Sequence, residues 1–177
     1  NDPELTATIA GGANDVDSAY ATDDAGGAGG LTGRVYTRTV FRLGGGASLE
    51  GGLYLLQLDD INGNVVYELY INKLGTLRLL SPAGGLGSTV INESTGLDVA
   101  AGGPPHVVEV SALRNDSVAV RVDGDTRVNV TGLSGAQTGN PRHLHVGILQ
   151  YTGTGTSPIT AYHADVGVSS SDWLGAP

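Results

Sequence analysis

The sequence has no cysteine and no methionine, and its positive charge is scarce: nine Lys and Arg stand against eighteen Asp and Glu, for a formal net charge of −9. Without cysteine there is no disulfide framework, no thiolate metal site and no thiol redox chemistry. The acidic balance argues against nucleic acid and anionic membrane surfaces as partners. Acidic side chains on loops would suit divalent cations instead. No apolar run approaches the roughly 20 residues that a membrane-spanning helix needs. Charged residues amount to only 15%, whereas glycine contributes 29 of 177 residues and hydrophobic residues 40%. That composition favours many short strands joined by tight turns, in a chain long enough to bury a two-sheet core without metal or disulfide staples.

The most informative stretch runs from Leu53 to Leu80, LYLLQLDDINGNVVYELYINKLGTLRLL. It predicts three consecutive antiparallel strands. Apolar residues alternate through Tyr54, Leu56 and Leu58, Asn62-Gly63 supplies a pair tolerant of positive φ, alternation resumes through Val65, Tyr67, Leu69 and Ile71, and Gly75 opens a third run.

Before it, Leu5 to Ile9 and Asp17 to Thr22 read as strands, residues 25–33 as a glycine-rich loop, and Arg34 to Leu43 as a half-buried strand. In that strand Val35, Thr37, Thr39 and Phe41 share one face, and Tyr36, Arg38, Val40 and Arg42 the other. After the meander come Thr89 to Asn92, His106 to Leu113, a hairpin of Ser117 to Val122 and Thr126 to Val130 around Asp123-Gly124, then His143 to Tyr151 and Ile159 to Val168. Turn signals recur every ten residues or so and no stretch carries a helical period. The expected fold is therefore an all-β, two-sheet antiparallel sandwich of about twelve strands. It is expected as one domain over residues 1–177, with N-terminal strands and loop in 1–33, the sandwich in 34–168 and a tail in 169–177.

Alternation also says which side chains leave the core. If Tyr54, Leu56 and Leu58 point inward, Leu55 and Gln57 point outward; Glu68, Tyr70 and Asn72 oppose Tyr67, Leu69 and Ile71. Arg78 opposes Leu77 and Leu79, and His143 and His145 oppose Leu144, Val146 and Ile148. On one concave sheet, Arg38, Gln57, Glu68, Tyr70 and His145 would make a polar, aromatic-containing groove suited to sugar hydroxyls or a carboxylate, with Arg78, His143 and Tyr151 as further lining. The alternative is that these are ordinary solvated positions on an outer sheet face. Tyr151 also opens the loop Tyr151-Thr-Gly-Thr-Gly-Thr-Ser-Pro158, which reads either as the rim of such a site or as linking material.

Val35-Tyr-Thr-Arg-Thr-Val-Phe-Arg-Leu43, the meander, Pro105-His-Val-Val-Glu-Val110, Val118-Ala-Val-Arg-Val-Asp-Gly124 and Tyr162-His-Ala-Asp-Val-Gly-Val168 follow one another in the order seen in concanavalin A-like, laminin G-like jelly rolls. The resemblance covers most of the chain from Arg34 onward. It departs at Pro105-His106, where the family often has Trp-His, while Trp173 reads as an anchor for the tail. The resemblance implies two antiparallel sheets, one with a concave outer face, and a glycan- or protein-binding role like that of modules in bacterial surface proteins and phage tails. Polysaccharide lyases on this fold use an arginine and an amide against a uronate carboxylate, with His and Tyr acting on the C5 proton and the leaving oxygen. Arg38, Gln57, His145 and Tyr70 are of those types, but the Gln-Ile-His and Tyr-Phe-Lys-Ala-Gly runs are absent. The Glu-x-Asp-x-x-Glu strand of the fold's glycoside hydrolases is missing too, and the acidic pair Asp59-Asp60 precedes a turn.

The resemblance further implies that Asp165, on the last strand, can ligate a structural calcium. Calcium needs six to eight oxygens, to which Asn14, Asp15, Asp17 or Asp23-Asp24 could add; the competing reading makes these turn residues. His106 and His163 read as packed or solvent-facing, and Asp123-Gly124 as structural. Sequons at Asn92, Asn115 and Asn129 occur by chance in a Ser- and Thr-rich chain, and a start at Asn1 suggests a processed protein or an excised module. The expectation is a non-catalytic, extracellular binding or adhesion module, secreted or on a cell or virion surface, whose partner is a glycan or a surface protein. The alternatives are a self-assembling structural subunit and a lyase-like enzyme.

Overall fold

The computed structural model describes residues 4–9, 19–24, 26–44, 51–80, 90–100, 102–133, 139–151 and 158–174. Asn14, Asp15 and Asp17 lie outside these residues. Twelve strands are described: β1 Leu5–Ile9, β2 Ala19–Asp24, β3 Arg34–Leu43, β4 Gly52–Asp60, β5 Val65–Asn72, β6 Leu77–Leu80, β7 Val90–Ser94, β8 His106–Leu113, β9 Ser117–Val122, β10 Asp125–Thr131, β11 Pro141–Tyr151 and β12 Ile159–Ser169. The glycine-rich loop holds a single 3₁₀ turn, Gly27–Gly29, that buries nothing. No described helix is long and apolar enough to cross a membrane.

The strands form two six-stranded antiparallel sheets, ordered β1-β12-β3-β8-β9-β10 and β2-β11-β4-β5-β6-β7. The fold is the expected jelly-roll sandwich, and the alternation explains it. Phe41, Leu58, Tyr67, Leu69, Ile71, Val110, Val120, Leu144 and Ile148 all enter one core between the sheets. Buried polar contacts among the described residues of that core include Thr37 Oγ1 with the Tyr67 hydroxyl at 2.6 Å, joining the two sheets, and Thr39 Oγ1 with His163 Nδ1 at 3.0 Å.

The turns differ in kind. Asp123 and Gly124 both take positive φ, 54° and 86°, so β9 and β10 are joined by the two-residue turn that Asp-Gly favours. At the β4–β5 turn only Gly63 is left-handed (φ 77°), and Gly63 N–H donates to Asp60 O at 3.0 Å across a four-residue connection. The Asp60 carboxylate pins this turn. It accepts hydrogen bonds from the N–H groups of Asn62, Asn64 and Gly139 at 2.7, 2.9 and 3.0 Å, and from the Asn64 amide. Burial would raise its pKa, but the Asn64, Asn62 and Gly139 hydrogen bonds outweigh it and hold the carboxyl below the usual range. Asp60→Ala is expected to lower unfolding free energy by about 3 kcal/mol, because three N–H donors lose their partner, and urea denaturation reads the loss.

One feature of the meander departs from strict alternation. The β4–β5 register shifts between Tyr54 and Leu56, so Tyr54 pairs with Tyr70 while Leu56 pairs with Leu69. A bulge of this kind reverses which face a residue takes. Tyr54 accordingly leaves the main core and joins Leu80, Leu149 and Tyr70 in a separate small cluster, while Leu55 enters the core. The expectation for Tyr54 and Leu55 is thus corrected.

Candidate functional site

The outer face of the β2-β11-β4-β5-β6-β7 sheet gathers most of the residues singled out by alternation. Register places Thr22, His145, Gln57, Glu68 and Leu80 in one cross-strand row, and Tyr54, Tyr70 and Arg78 in another. His143 stands two residues before His145 on the same face, opposite Asp24 on one side and Asp59 on the other.

At the centre is a chain of hydrogen bonds. Gln57 Nε2 donates to Asp59 Oδ1 at 2.6 Å, and Asp59 Oδ2 lies 3.0 Å from His145 Nε2. His145 Nδ1 lies 2.8 Å from Thr22 Oγ1. His145 and Asp59 are mostly enclosed, with side-chain exposures of 16% and 12%, whereas Thr22 is exposed on β2, the edge strand. The ring centroids of His143 and His145 are 6.4 Å apart. Beyond them Arg142 grips Asp24 through two bonds of 2.9 and 2.7 Å, which lowers the pKa of Asp24.

The other end of the face is aromatic. Tyr54 and Tyr70 meet edge to face at 5.1 Å, and the Arg78 guanidinium stands 5.8 Å from the Tyr70 ring centre. Tyr70 and Arg78 are half-buried, so both present surface to a ligand. Glu68 is not a solvent-facing residue: it is fully enclosed. Burial pushes the Tyr54 hydroxyl pKa up, with Glu68 and Tyr70 adding to the effect. Tyr151 ends β11 opposite Leu53; its side chain lies outside the described residues.

Arg38 does not join this face. It sits on β3, in the other sheet, and points to that sheet's outer side. There its guanidinium lies 3.8 Å from the Asp165 carboxylate, and it is buried although its face is the sandwich's exterior. The physical reason is topological: β3 pairs with β8 and β12, and alternation within a strand says nothing about which sheet that strand enters. Near it Trp173 packs edge-on against Tyr36 at 5.3 Å, with the Arg121 guanidinium 4.0 Å from its ring centre. The tail is thereby anchored across that face.

The oxygen donors expected for calcium lie only partly within the described residues. Asp15 and Asp17 fall outside the described residues, and Asp165, left-handed at φ 47°, faces a guanidinium, which competes with a cation for the same carboxylate. Among the described residues no group of three or more His, Asp or Glu side chains is placed to hold a metal. His106 is engaged by Asp123 Oδ2 at 2.8 Å and by Asp98 O at 3.2 Å. His163 is wholly enclosed in the core.

Two residues of the central chain escaped the sequence reading. Asp59 was legible in principle, since it stands two residues after Gln57 and shares its outward face, but beside Asp60 it reads as half of an acidic pair before a turn. Thr22 carried no signal, because only the pairing of β2 with β11 brings it to His145.

No protein-family model matches the sequence. No curated protein matches it either. Solved structures do match in fold. A family 7 alginate lyase in complex with its substrate is 17% identical with a TM-score of 0.65, over 94% of this chain and 76% of that one. A sialidase is 14% identical with a TM-score of 0.65, over 96% of this chain and 15% of that one. A botulinum neurotoxin type C, whose cell entry depends on two ganglioside molecules, is 11% identical with a TM-score of 0.64, over 94% of this chain and 39% of that one. The expectation of a non-catalytic module is overturned by this set, in which alginate lyases recur. Enzymes share this architecture across most of the chain, so the fold gives no ground for excluding catalysis. The chain has a concanavalin A-like jelly-roll fold, two antiparallel sheets of the kind found in lyases and glycan-binding toxin domains alike.

Proposed function

We propose that this is a carbohydrate-active protein, in which the outer face of β11, β4, β5 and β6 holds a glycan and His145 moves a proton to or from it. The observation that carries the reading is the hydrogen-bonded run Gln57–Asp59–His145 on the same face as Tyr70 and Arg78. An aromatic ring with a guanidinium beside it suits the apolar faces and hydroxyls of sugars. A half-enclosed imidazole held by a carboxylate suits general acid–base work. Support comes from the fold neighbours, which include alginate lyases and the binding domain of a botulinum neurotoxin in complex with SialylT. With Arg38 on the other sheet, Arg78 and Gln57 are among the described groups on this face that can meet an acidic or hydroxyl-rich sugar.

The test is affinity electrophoresis of the whole chain through gels containing alginate, mannan or xylan. Retardation by at least one polysaccharide is expected, with Tyr70→Ala and Arg78→Ala each weakening it about 10-fold. No retardation in any gel, or retardation indifferent to both substitutions, would refute the assignment.

A further inference from the structure

The Thr22–His145–Asp59 contacts have the order of a nucleophile, its base and the group that orients the base. A carboxylate can only accept, so Asp59 Oδ2 takes the His145 Nε2–H at 3.0 Å and leaves Nδ1 with its lone pair. That lone pair meets the Thr22 hydroxyl at 2.8 Å, and the hydroxyl therefore donates. Gln57 Nε2, bonded to Asp59 Oδ1 at 2.6 Å, occupies the second carboxylate oxygen and fixes its orientation. The three parts come from three adjacent strands, β2, β11 and β4, whose backbone pairing sets the spacing. Asp59 is buried, His145 is mostly enclosed and Thr22 is exposed at the sheet edge, so the gradient of burial runs from the orienting acid outward to the hydroxyl.

We propose that this hydroxyl–imidazole–carboxylate relay makes Thr22 Oγ1 a nucleophile toward O-acyl esters carried by the glycan. Constellations of this kind are recognised by geometry and role; here the ring is turned, with Nδ1 as the base and Nε2–H held by the carboxylate. In the first half-reaction Oγ1 attacks the ester carbonyl carbon while its proton passes to Nδ1. The tetrahedral intermediate collapses, the bond to the sugar oxygen breaks, and that oxygen leaves with the electron pair and takes the proton from Nδ1. In the second half-reaction water attacks the acyl-threonine ester, its proton passing to Nδ1 and on to Oγ1. The products are a carboxylic acid, a free sugar hydroxyl and the restored threonine. His143, on the same strand face, places a second imidazole ring 6.4 Å from that of His145.

The inference rests on the glycan-binding reading for its substrate class, and the two are separated by the probes. The whole chain is assayed for acetate release from acetylated xylan and for hydrolysis of p-nitrophenyl acetate, which needs no glycan site. Wild type is expected to turn over both, and a fluorophosphonate probe is expected to label Thr22, read by peptide mass spectrometry. Thr22→Val, which keeps the shape and removes the hydroxyl, and Asp59→Asn are each expected to lower both rates about 10³-fold, and Thr22→Ser to restore them. Thr22→Val should leave polysaccharide retardation unchanged. Retardation by polysaccharide without release from either ester, or a Thr22→Val protein that keeps the wild-type rate, would overturn the relay. Hydrolysis of p-nitrophenyl acetate that depends on Thr22, with no polysaccharide retarded, would uphold the relay and remove the glycan as its substrate.

Discussion

Lowering the pH from 7 to 4 is expected to cost the folded state about 3 kcal/mol through His163 alone, since burial drives the pKa of that imidazole down to about 4. The ring is fully enclosed between the sheets, 3.0 Å from Thr39 Oγ1 and tilted against Phe41 at 5.4 Å between ring centres. Burial disfavours the charged form and dominates; the backbone of Gly147 across the sandwich opposes it only in part. An exposed histidine in the unfolded chain takes up its proton near pH 6.5, so between that value and about 4 the unfolded state holds one proton more than the folded state. The contribution is thus complete above pH 6.5 or so and is lost as the pH falls through about 4. Asp60 acts in a lower window, because its pKa is held below the usual carboxylate range. Urea unfolding of wild type and His163→Gln at pH 7 and pH 4 isolates the effect: the variant should lose about 3 kcal/mol less on acidification. Equal losses would show that His163 is not the acid-sensitive element.

The second large effect is expected at Gly75, where Gly75→Ala should cost about 3 kcal/mol. Gly75 adopts φ 71°, the left-handed region, and its N–H donates to Asn72 O at 2.9 Å to close the β5–β6 turn. Its own carbonyl accepts from Leu97 N–H at 3.3 Å, which draws the segment after β7 against the turn. A methyl group added at Gly75 would collide with the Leu97 carbonyl oxygen, which is backbone and cannot rotate away. Gly63 is the internal control. It is left-handed as well, at φ 77°, yet a methyl there meets nothing within 4 Å. Gly63→Ala should therefore cost only the conformational penalty, about 1 kcal/mol. Thermal or urea unfolding of the two variants side by side reads the difference, and equal destabilisation would contradict the packing argument.

Much of the fold follows from local rules. β1, β3, β8 and β9 begin and end where period-two alternation and turn residues put them. Alternation holds because successive side chains of a strand leave on opposite faces, and that is a property of the chain itself. For the same reason Gln57, Glu68, Tyr70, Arg78, His143 and His145 were recognisable as residues facing away from the core. The rule fails where hydrogen-bond register slips. At Tyr54 a bulge reverses the phase, and no residue type in LYLLQLDD marks it.

The site was less legible than the fold. The alternation that turns Arg38 outward is correct, yet its strand entered the opposite sheet, and its guanidinium meets Asp165 there. Thr22 and Asp59 reach His145 only because β2 and β4 flank β11. What the sequence determined by itself was an all-β chain, its strands, and which side chains each strand turns outward, since these depend on neighbours along the chain. What only the tertiary structure decided was the assignment of strands to sheets, the bulge, and the meeting of a hydroxyl, an imidazole and a carboxylate on one face. Strand order depends on contacts between residues as far apart as Thr22 and His145, and a local pattern carries no information about a partner at that distance.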